Sequence, residues 1–440
     1  MAFSFVTQSQ IQGVQMLPVR LTIVPAILAL CLIANSPYAA TILVPEDQPT
    51  IRACVNAAAP GDTCSVAPGV YFEFPPDSNP VSGVIANVIV NKAIGLRSRE
   101  LYQAVLDGRM DPTTAFLVIQ ANATVEGFVI QNVNTGVISR GSPGGVGFSW
   151  SARNLIIRNA SAFGIGVDEW GPDPAPANYS SAALSNIVVD SADVAYYTND
   201  AGSLDVRNSI ASNSRVGFQG CDDVFLTFSY SMTSAVQKVR EAACSPSDLP
   251  IAGPGFFDAN ADFGHVRTAL HDFPFFLRCS SPAIDAGDPG AQFDDTLFPP
   301  SWGAATNDIG AYGGPGATAS LSALERQQLV GQLLRVDRSG GDSVVSWCHL
   351  PDFTESDLIR GDLGALRSSG GNFSVATSEC LANDVSTTSF TSSGVPSLGD
   401  AFWFLTRCDN CPGKGSYDSG ASSQVGVRDP GIAASGNDCP

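Results

Sequence analysis

Phe128-Val129-Ile130-Gln131-Asn132 returns in kind as Leu155-Ile156-Ile157-Arg158-Asn159, Ile187-Val188-Val189-Asp190-Ser191, Leu204-Asp205-Val206-Arg207-Asn208 and Leu226-Thr227-Phe228-Ser229-Tyr230. Each run alternates apolar residues and ends on a polar or turn-forming one. Their starts are 27, 32, 17 and 22 residues apart, the period of one solenoid coil with loop insertions. A unit of this size cannot bury its apolar face alone and must stack on its neighbours. In-register stacking produces a continuous parallel sheet that rises about 4.8 Å per coil. On this reading Asn132, Asn159 and Asn208 fall at equivalent turns, where asparagine accepts left-handed backbone angles. The chain is therefore expected to be all-β, with a right-handed parallel β-helix over residues 41–316.

An open stack exposes sheet edges and needs a cap. Thr50-Ile51-Arg52-Ala53-Cys54-Val55-Asn56-Ala57 has apolar residues at helical spacing and is expected to cap the first coil. Pro60-Gly61-Asp62-Thr63 reads as a turn and Cys64-Ser65-Val66 as the first strand.

Composition supports this picture. The chain holds 42 acidic and 23 basic residues, for a formal net charge of −19. That charge argues against binding nucleic acid or anionic lipid, both of which need a basic face. With 43 glycines and 29 prolines it suits short strands and many turns, while 44% hydrophobic residues suffice for a core. Residues 1–40 read as a signal peptide: Arg20 precedes the apolar run from Leu21 to Ile33, and Ala39 and Ala40 are small residues at the cleavage point. The run is shorter than the ~20 residues needed to span a bilayer. No membrane insertion is expected once it is removed, and the expected location is extracellular or on the cell surface. Eleven cysteines include Cys31 in this segment, leaving ten, an even number that reads as disulfides in an exported protein. Cys54 and Cys64 are the best pair. The Cys408/Cys411 CxxC lacks the second close pair that zinc would want.

The sequence resembles the secreted bacterial right-handed β-helix repeat proteins with a pectin-lyase-like fold. Gly61-Asp62-Thr63 with Val66-Ala67-Pro68-Gly69-Val70-Tyr71 carries the resemblance at the start. Ser281-Pro282-Ala283-Ile284-Asp285-Ala286-Gly287-Asp288-Pro289 and Asp308-Ile309-Gly310-Ala311-Tyr312-Gly313 carry it at the end, where the resemblance implies closure of the last coils. A short linking helix is expected over 317–332. Residues 333–440 resemble the fibronectin-type-III-like modules that follow such helices, through Ile359-Arg360-Gly361-Asp362-Leu363, Phe402-Trp403-Phe404-Leu405 and Gly415-Ser416-Tyr417-Asp418-Ser419-Gly420. The resemblance implies a spacing or display role for this β-sandwich; Ser343-Val344-Val345-Ser346-Trp347 alternates like a strand, which puts Trp347 in its core rather than at a ligand.

Two enzyme classes are relevant to such a fold. A lyase needs a Lys or Arg base beside carboxylate-held calcium. The three lysines, Lys92, Lys238 and Lys414, stand beside no acidic cluster on a recognisable coil, and only Arg207 and Arg215 remain for that role. A hydrolase needs paired carboxylates. Asp200 and Asp222, 22 residues apart, with Asp223, are similar in arrangement to the acids of polygalacturonase-like hydrolases. The order around Asp200 is scrambled relative to that pattern, however, and the accompanying Gly-His-Gly and Arg-Ile-Lys are missing. The plainer expectation is that these aspartates face water at turns. Asp168-Glu169-Trp170 opens a long segment in which Trp170 could stack on a sugar and the acids could hold calcium. No other cofactor is expected. The leading expectation is a non-catalytic module that contacts polysaccharide or another surface polymer; the alternative is a polysaccharide-degrading enzyme, a hydrolase more readily than a lyase.

Overall fold

The computed structural model describes residues 39–78, 85–109, 115–140, 147–168, 180–199, 202–221, 225–258, 275–277, 281–295, 301, 304–317, 334–347, 355–396, 398–408, 415–418 and 426–440. The expected signal segment and linking helix fall almost wholly outside them.

From Thr41 onward the strands stack in parallel into three faces of a β-helix. The first face runs through Thr41–Val44, Thr63–Val66, Gly95–Ser98 and Thr124–Glu126, and continues to Ser203–Arg207, Phe225–Ser229 and Ile251–Ala252. The second holds Gly69–Tyr71, Ala104–Asp107, residues 129–131, 156–158 and 188–190, then Ile210–Ser212 and Met232–Ser234. The third holds Ile85–Val90, Ala115–Ile119, residues 135–140, 163–168 and 194–199, then Val216–Gly220 and Lys238–Ala242. Alternate side chains of all three faces point inward and form one continuous apolar core. Aromatic rings stack inside its later coils: Phe218 lies 3.9 Å from Phe228 and 5.2 Å from Tyr196, centroid to centroid.

The register corrects one part of the sequence reading. On the second face Val129, Ile156, Val188, Ile210 and Met232 are successive partners, so the coils measure 27, 32, 22 and 22 residues. Leu204 and Leu226 pair on the first face instead, with Ala182 and with each other. The 17-residue step was thus a change of face, not a coil. Both faces carry the same apolar alternation, so pattern alone does not distinguish them. The asparagines divide accordingly. Asn132 and Asn159 stack at the corner after the second face, Asn159 Nδ2 donating to Asn132 Oδ1 at 3.2 Å. Asn208 sits with Asn154 and Asn186 at the corner before that face, and the Asn132–Asn159 corner continues through Ser191 to Asn213. All of these asparagines adopt positive φ.

The cap helix forms at Ile51–Ala57 and buries Ile51, Cys54 and Val55 as its spacing requires. Thr50 accepts from Ala53 N at 3.0 Å as N-cap. The buried Glu73 carboxylate accepts from Ile51 N and Arg52 N, while Lys92 Nζ donates to the carbonyls of Val55, Asn56 and Ala58. An acid at the N-terminus and a base at the C-terminus both complement the helix dipole. The expected Cys54–Cys64 bridge ties this helix to the first face, with Cα atoms 6.0 Å apart. Replacing both cysteines by alanine is expected to lower stability by about 2–3 kcal/mol. Denaturant unfolding checks this, and an unchanged midpoint would show that the cap is held by packing alone. Further bridges join Cys221 to Cys244 and Cys380 to Cys439, and Cys408 is also disulfide-bonded, which removes it from zinc chemistry.

A strap made from residues 275–277, 281–295 and 304–317 lies on the outside of the second face. It covers the outward column Val129, Ile156, Val188, Ile210 and Met232 with Phe276, Leu277, Ala283, Ile309, Ala311 and Tyr312. The corner asparagines fasten it. Asn154 Nδ2 donates to the carbonyls of Ala311 and Gly313, Asn186 Nδ2 to those of Asp308 and Gly310, and Asn208 Oδ1 accepts from Asp288 N. The closing motif's glycines are steric necessities: Gly310 has φ +113°, and a Cβ at Gly313 would lie 2.0 Å from the Asp308 carbonyl oxygen.

The C-terminal region contains two three-stranded antiparallel sheets. One is built from Arg335–Ser339, Asp342–Ser346 and Ser389–Ser392, the other from Thr377–Val385, Ser356–Asp362 and Phe402–Cys408. Val345 and Trp347 from one side pack against Leu358 and Ala382 from the other, which places Trp347 in the core as expected. Among the described residues no helix is long and apolar enough to cross a membrane.

Candidate functional site

The outer surface of the third face carries the most ligand-like chemistry among the described residues. Its outward column includes Ile89, Ile138, Gly166, Tyr197, Gln219 and Glu241, held in register by the strand pairing. The Phe163 and Tyr197 rings stack with centroids 4.3 Å apart and planes 20° from parallel, both half-buried. Gly166 lies between Ile138 and Tyr197, where a Cβ would make ordinary contact with Ile138 Cγ1 and Tyr197 Cδ1, each at 3.5 Å. The result is an apolar shelf, aromatic at one end, that crosses adjacent coils. The backbone register shifts between Ala160 and Phe163, and this irregularity breaks the strict alternation beside Phe163.

Polar groups edge the shelf. Arg140, Asp168 and Asn199 occupy one register position in three successive coils. Arg140 Nη2 donates to Asp168 Oδ2, and Asn199 Nδ2 donates to Asp168 Oδ1 at 3.3 Å. In the later coils Arg215 bonds Asp193 at 2.7 Å and Glu241 at 3.0 Å, while Lys238 bonds Glu241 at 2.5 Å.

Of the sequence candidates, Asp168 is placed at the end of a strand, not in a loop, and its carboxylate is engaged by Arg140 and Asn199. Glu169, Trp170, Asp200, Asp222 and Asp223 lie outside the described residues. The strands that lead to the last three are in register, Thr198 pairing with Gly220 one coil on. Phe163 and Tyr197 were not singled out from sequence, because a lone aromatic in a strand looks the same whether it faces in or out. Only the register reveals the pair.

The two arginines considered as lyase bases are each held by two carboxylates. Donating hydrogen bonds to Asp193, then to Glu241, raises the pKa of Arg215. At Arg207 burial pulls downward, but the contacts with Asp205 and Asp288 outweigh it and the net shift is upward. A guanidinium held in its charged form is a poor general base near neutrality. The remaining acidic crowd, Asp285, Asp288, Asp295 and Asp308, spends its described contacts on backbone N–H groups of the strap and, at Asp288, on Arg207 Nη1 at 2.6 Å. No group of three or more His, Cys, Asp or Glu side chains among the described residues could hold a metal ion. No protein-family model matches the chain, and no curated protein matches it in sequence.

Proposed function

We propose that this is an exported β-helix protein that binds polysaccharide on its third face as a non-catalytic module. The Phe163–Tyr197 shelf carries the reading. A half-buried aromatic pair offers apolar area for the C–H face of a sugar ring, and Arg140, Asp168, Asn199 and Gln219 supply hydrogen-bonding groups at its edges. The column to which it belongs runs along the stack at strand spacing, which suits a linear polymer lying along the helix. The bridged cysteines accord with export to an oxidising compartment. The fibronectin-type-III-like reading of the C-terminal sheets gives them the part of a spacer.

Tyr197→Ala is expected to weaken binding at least tenfold, in line with the ~2 kcal/mol or more lost when a central aromatic anchor is truncated. Native gels cast with soluble polysaccharides would measure this, with exposed Phe225→Ala on the first face as control. Equal retardation of all three proteins would exclude the shelf as the site. Release of reducing ends during the same incubation, abolished by Asp222→Asn, would establish the hydrolase in place of the binding module.

A further inference from the structure

We propose that one disulfide through Cys279 ties the strap of the β-helix covalently to the C-terminal sheets. The proposal rests on the exported, oxidised state of the protein and not on the polysaccharide reading. Parity carries it. Without the expected signal segment and its Cys31, ten cysteines remain, and they divide into two odd sets. Cys54, Cys64, Cys221, Cys244 and Cys279 belong to the β-helix and its strap, and Cys348, Cys380, Cys408, Cys411 and Cys439 to the C-terminal region. The helix spends four of its five on Cys54–Cys64 and Cys221–Cys244, which leaves Cys279. The C-terminal region spends two on Cys380–Cys439, which leaves three.

Cys408 is disulfide-bonded, yet the other six described cysteines are bonded among themselves. Its partner is therefore Cys279, Cys348 or Cys411, all three outside the described residues. If the partner is Cys279, the tie is made directly, and Cys348 and Cys411 are left to each other. If it is Cys348 or Cys411, the other of these two has no partner left in its own region, and Cys279 is the one cysteine still open to it. Every fully bridged monomer thus contains a single bond between strap and sheets, whichever cysteine Cys408 takes.

Chain connectivity fixes where such a bond acts. Cys279 comes two residues after Leu277 and two before Ser281, both buried. Two residues span at most about 7 Å, so the bond pulls on the strap within that distance of each. Leu277 is part of the apolar cover over the column from Val129 to Met232. At the other end Cys348 directly follows the core residue Trp347, and Cys408 closes a strand paired with Ser356–Asp362, with Cys411 three residues beyond it. Forming the bond removes two protons and two electrons from two thiols. A protein disulfide of the oxidising compartment accepts them by thiol–disulfide exchange, through a mixed disulfide, and leaves as a dithiol. In a reducing compartment the covalent link between strap and sheets is residues 318–333 alone.

The test uses the full secreted chain, with free thiols blocked by N-ethylmaleimide before denaturation. Non-reducing peptide mapping by mass spectrometry is expected to find the Cys279 peptide joined to one that carries Cys348, Cys408 or Cys411, and no blocked cysteine. A second form carries a site-specific protease sequence inserted between Ala317 and Leu334. After cutting, its two fragments are expected to run as one band in SDS without reductant and as two bands with it. Cys279→Ser in that form is expected to release the fragments without reductant. Where this variant does not fold, the map and the cut chain with native cysteines still give the answer. N-ethylmaleimide on Cys279, a bridge from it within the β-helix or a bridge to a second chain would each overturn the proposal. With Cys54–Cys64, Cys221–Cys244 and Cys380–Cys439 intact, a blocked Cys279 would leave the export reading standing. All ten cysteines blocked would overturn both.

Discussion

Phe218→Ala is expected to destabilise the protein by about 3–5 kcal/mol, the range for removing a fully buried aromatic ring. Phe218 has no solvent exposure and lies between Tyr196 of the preceding coil and Phe228 of the following first-face strand. Phe256 closes the stack edge-on, 4.7 Å from Phe228. Deleting the middle ring removes contacts on both sides. Neighbouring coils cannot slide in to fill the space, because their backbones are fixed by strand pairing above and below. Since each coil rests on its neighbours, the loss spreads along the stack. Phe218→Leu keeps most of the volume and is expected to cost about 1–1.5 kcal/mol. Phe74→Ala, at a site 68% exposed, should change stability by less than ~0.5 kcal/mol. Guanidinium unfolding of the three variants decides the matter: an Ala cost below that of the Leu variant would mean that the rings do not form a tight core.

The strap supplies the second large effect, one that depends on pH. Burial pushes the Asp295 carboxyl up from 3.8 to about 8, and the neighbouring Asp308 and Asp285 carboxylates add to it. Its oxygens meanwhile accept hydrogen bonds from Asp308 N and Gly314 N, so the side chain ties two stretches of the strap together. In the unfolded chain Asp295 loses its proton near pH 4, whereas in the folded chain it keeps it to about 8. The proton's contribution to stability is therefore complete below pH 4, declines as pH rises, and is gone above 8. The full gap would be worth about 5–6 kcal/mol; since the carboxyl remains partly solvated, a loss of about 2 kcal/mol between pH 4 and 8 is expected. Asp295→Asn cannot ionise and should lack this component. Subtracting the variant's stability-versus-pH curve from the wild type's should leave a monotonic fall across that window. A flat difference would show that Asp295 is ionised in the folded strap.

How far the sequence disclosed this arrangement can be read from particular residues. The coils, the cap helix at Ile51–Ala57, the Cys54–Cys64 bridge and the core position of Trp347 each follow from a local signal: apolar period, the helical spacing of Ile51, Cys54 and Val55, a close cysteine pair, an alternating strand. Face assignment does not. Leu204-Asp205-Val206 and Ile187-Val188-Val189 look alike, yet they lie on different faces, because the corner between faces takes only a few residues and leaves the alternation intact. The Phe163–Tyr197 shelf was illegible for the same reason: it joins residues 34 positions apart across two coils of unequal length. The strap was foreshadowed by its motifs, but its partners were not, since they lie on coils between 80 and 160 residues earlier.

That separation has a consequence for how the molecule is made. The outward apolar column from Val129 to Met232 is complete before any of its cover has been synthesised, and residue 312 must emerge before the last covering ring, Tyr312, can dock. A nascent chain thus presents a greasy stripe the length of several coils, the kind of surface on which incomplete chains aggregate. The species most in need of a holdase is the one that ends between the last coil and the strap. A truncation there would leave every strand pairing of the coils in place and still yield a protein that sticks to itself.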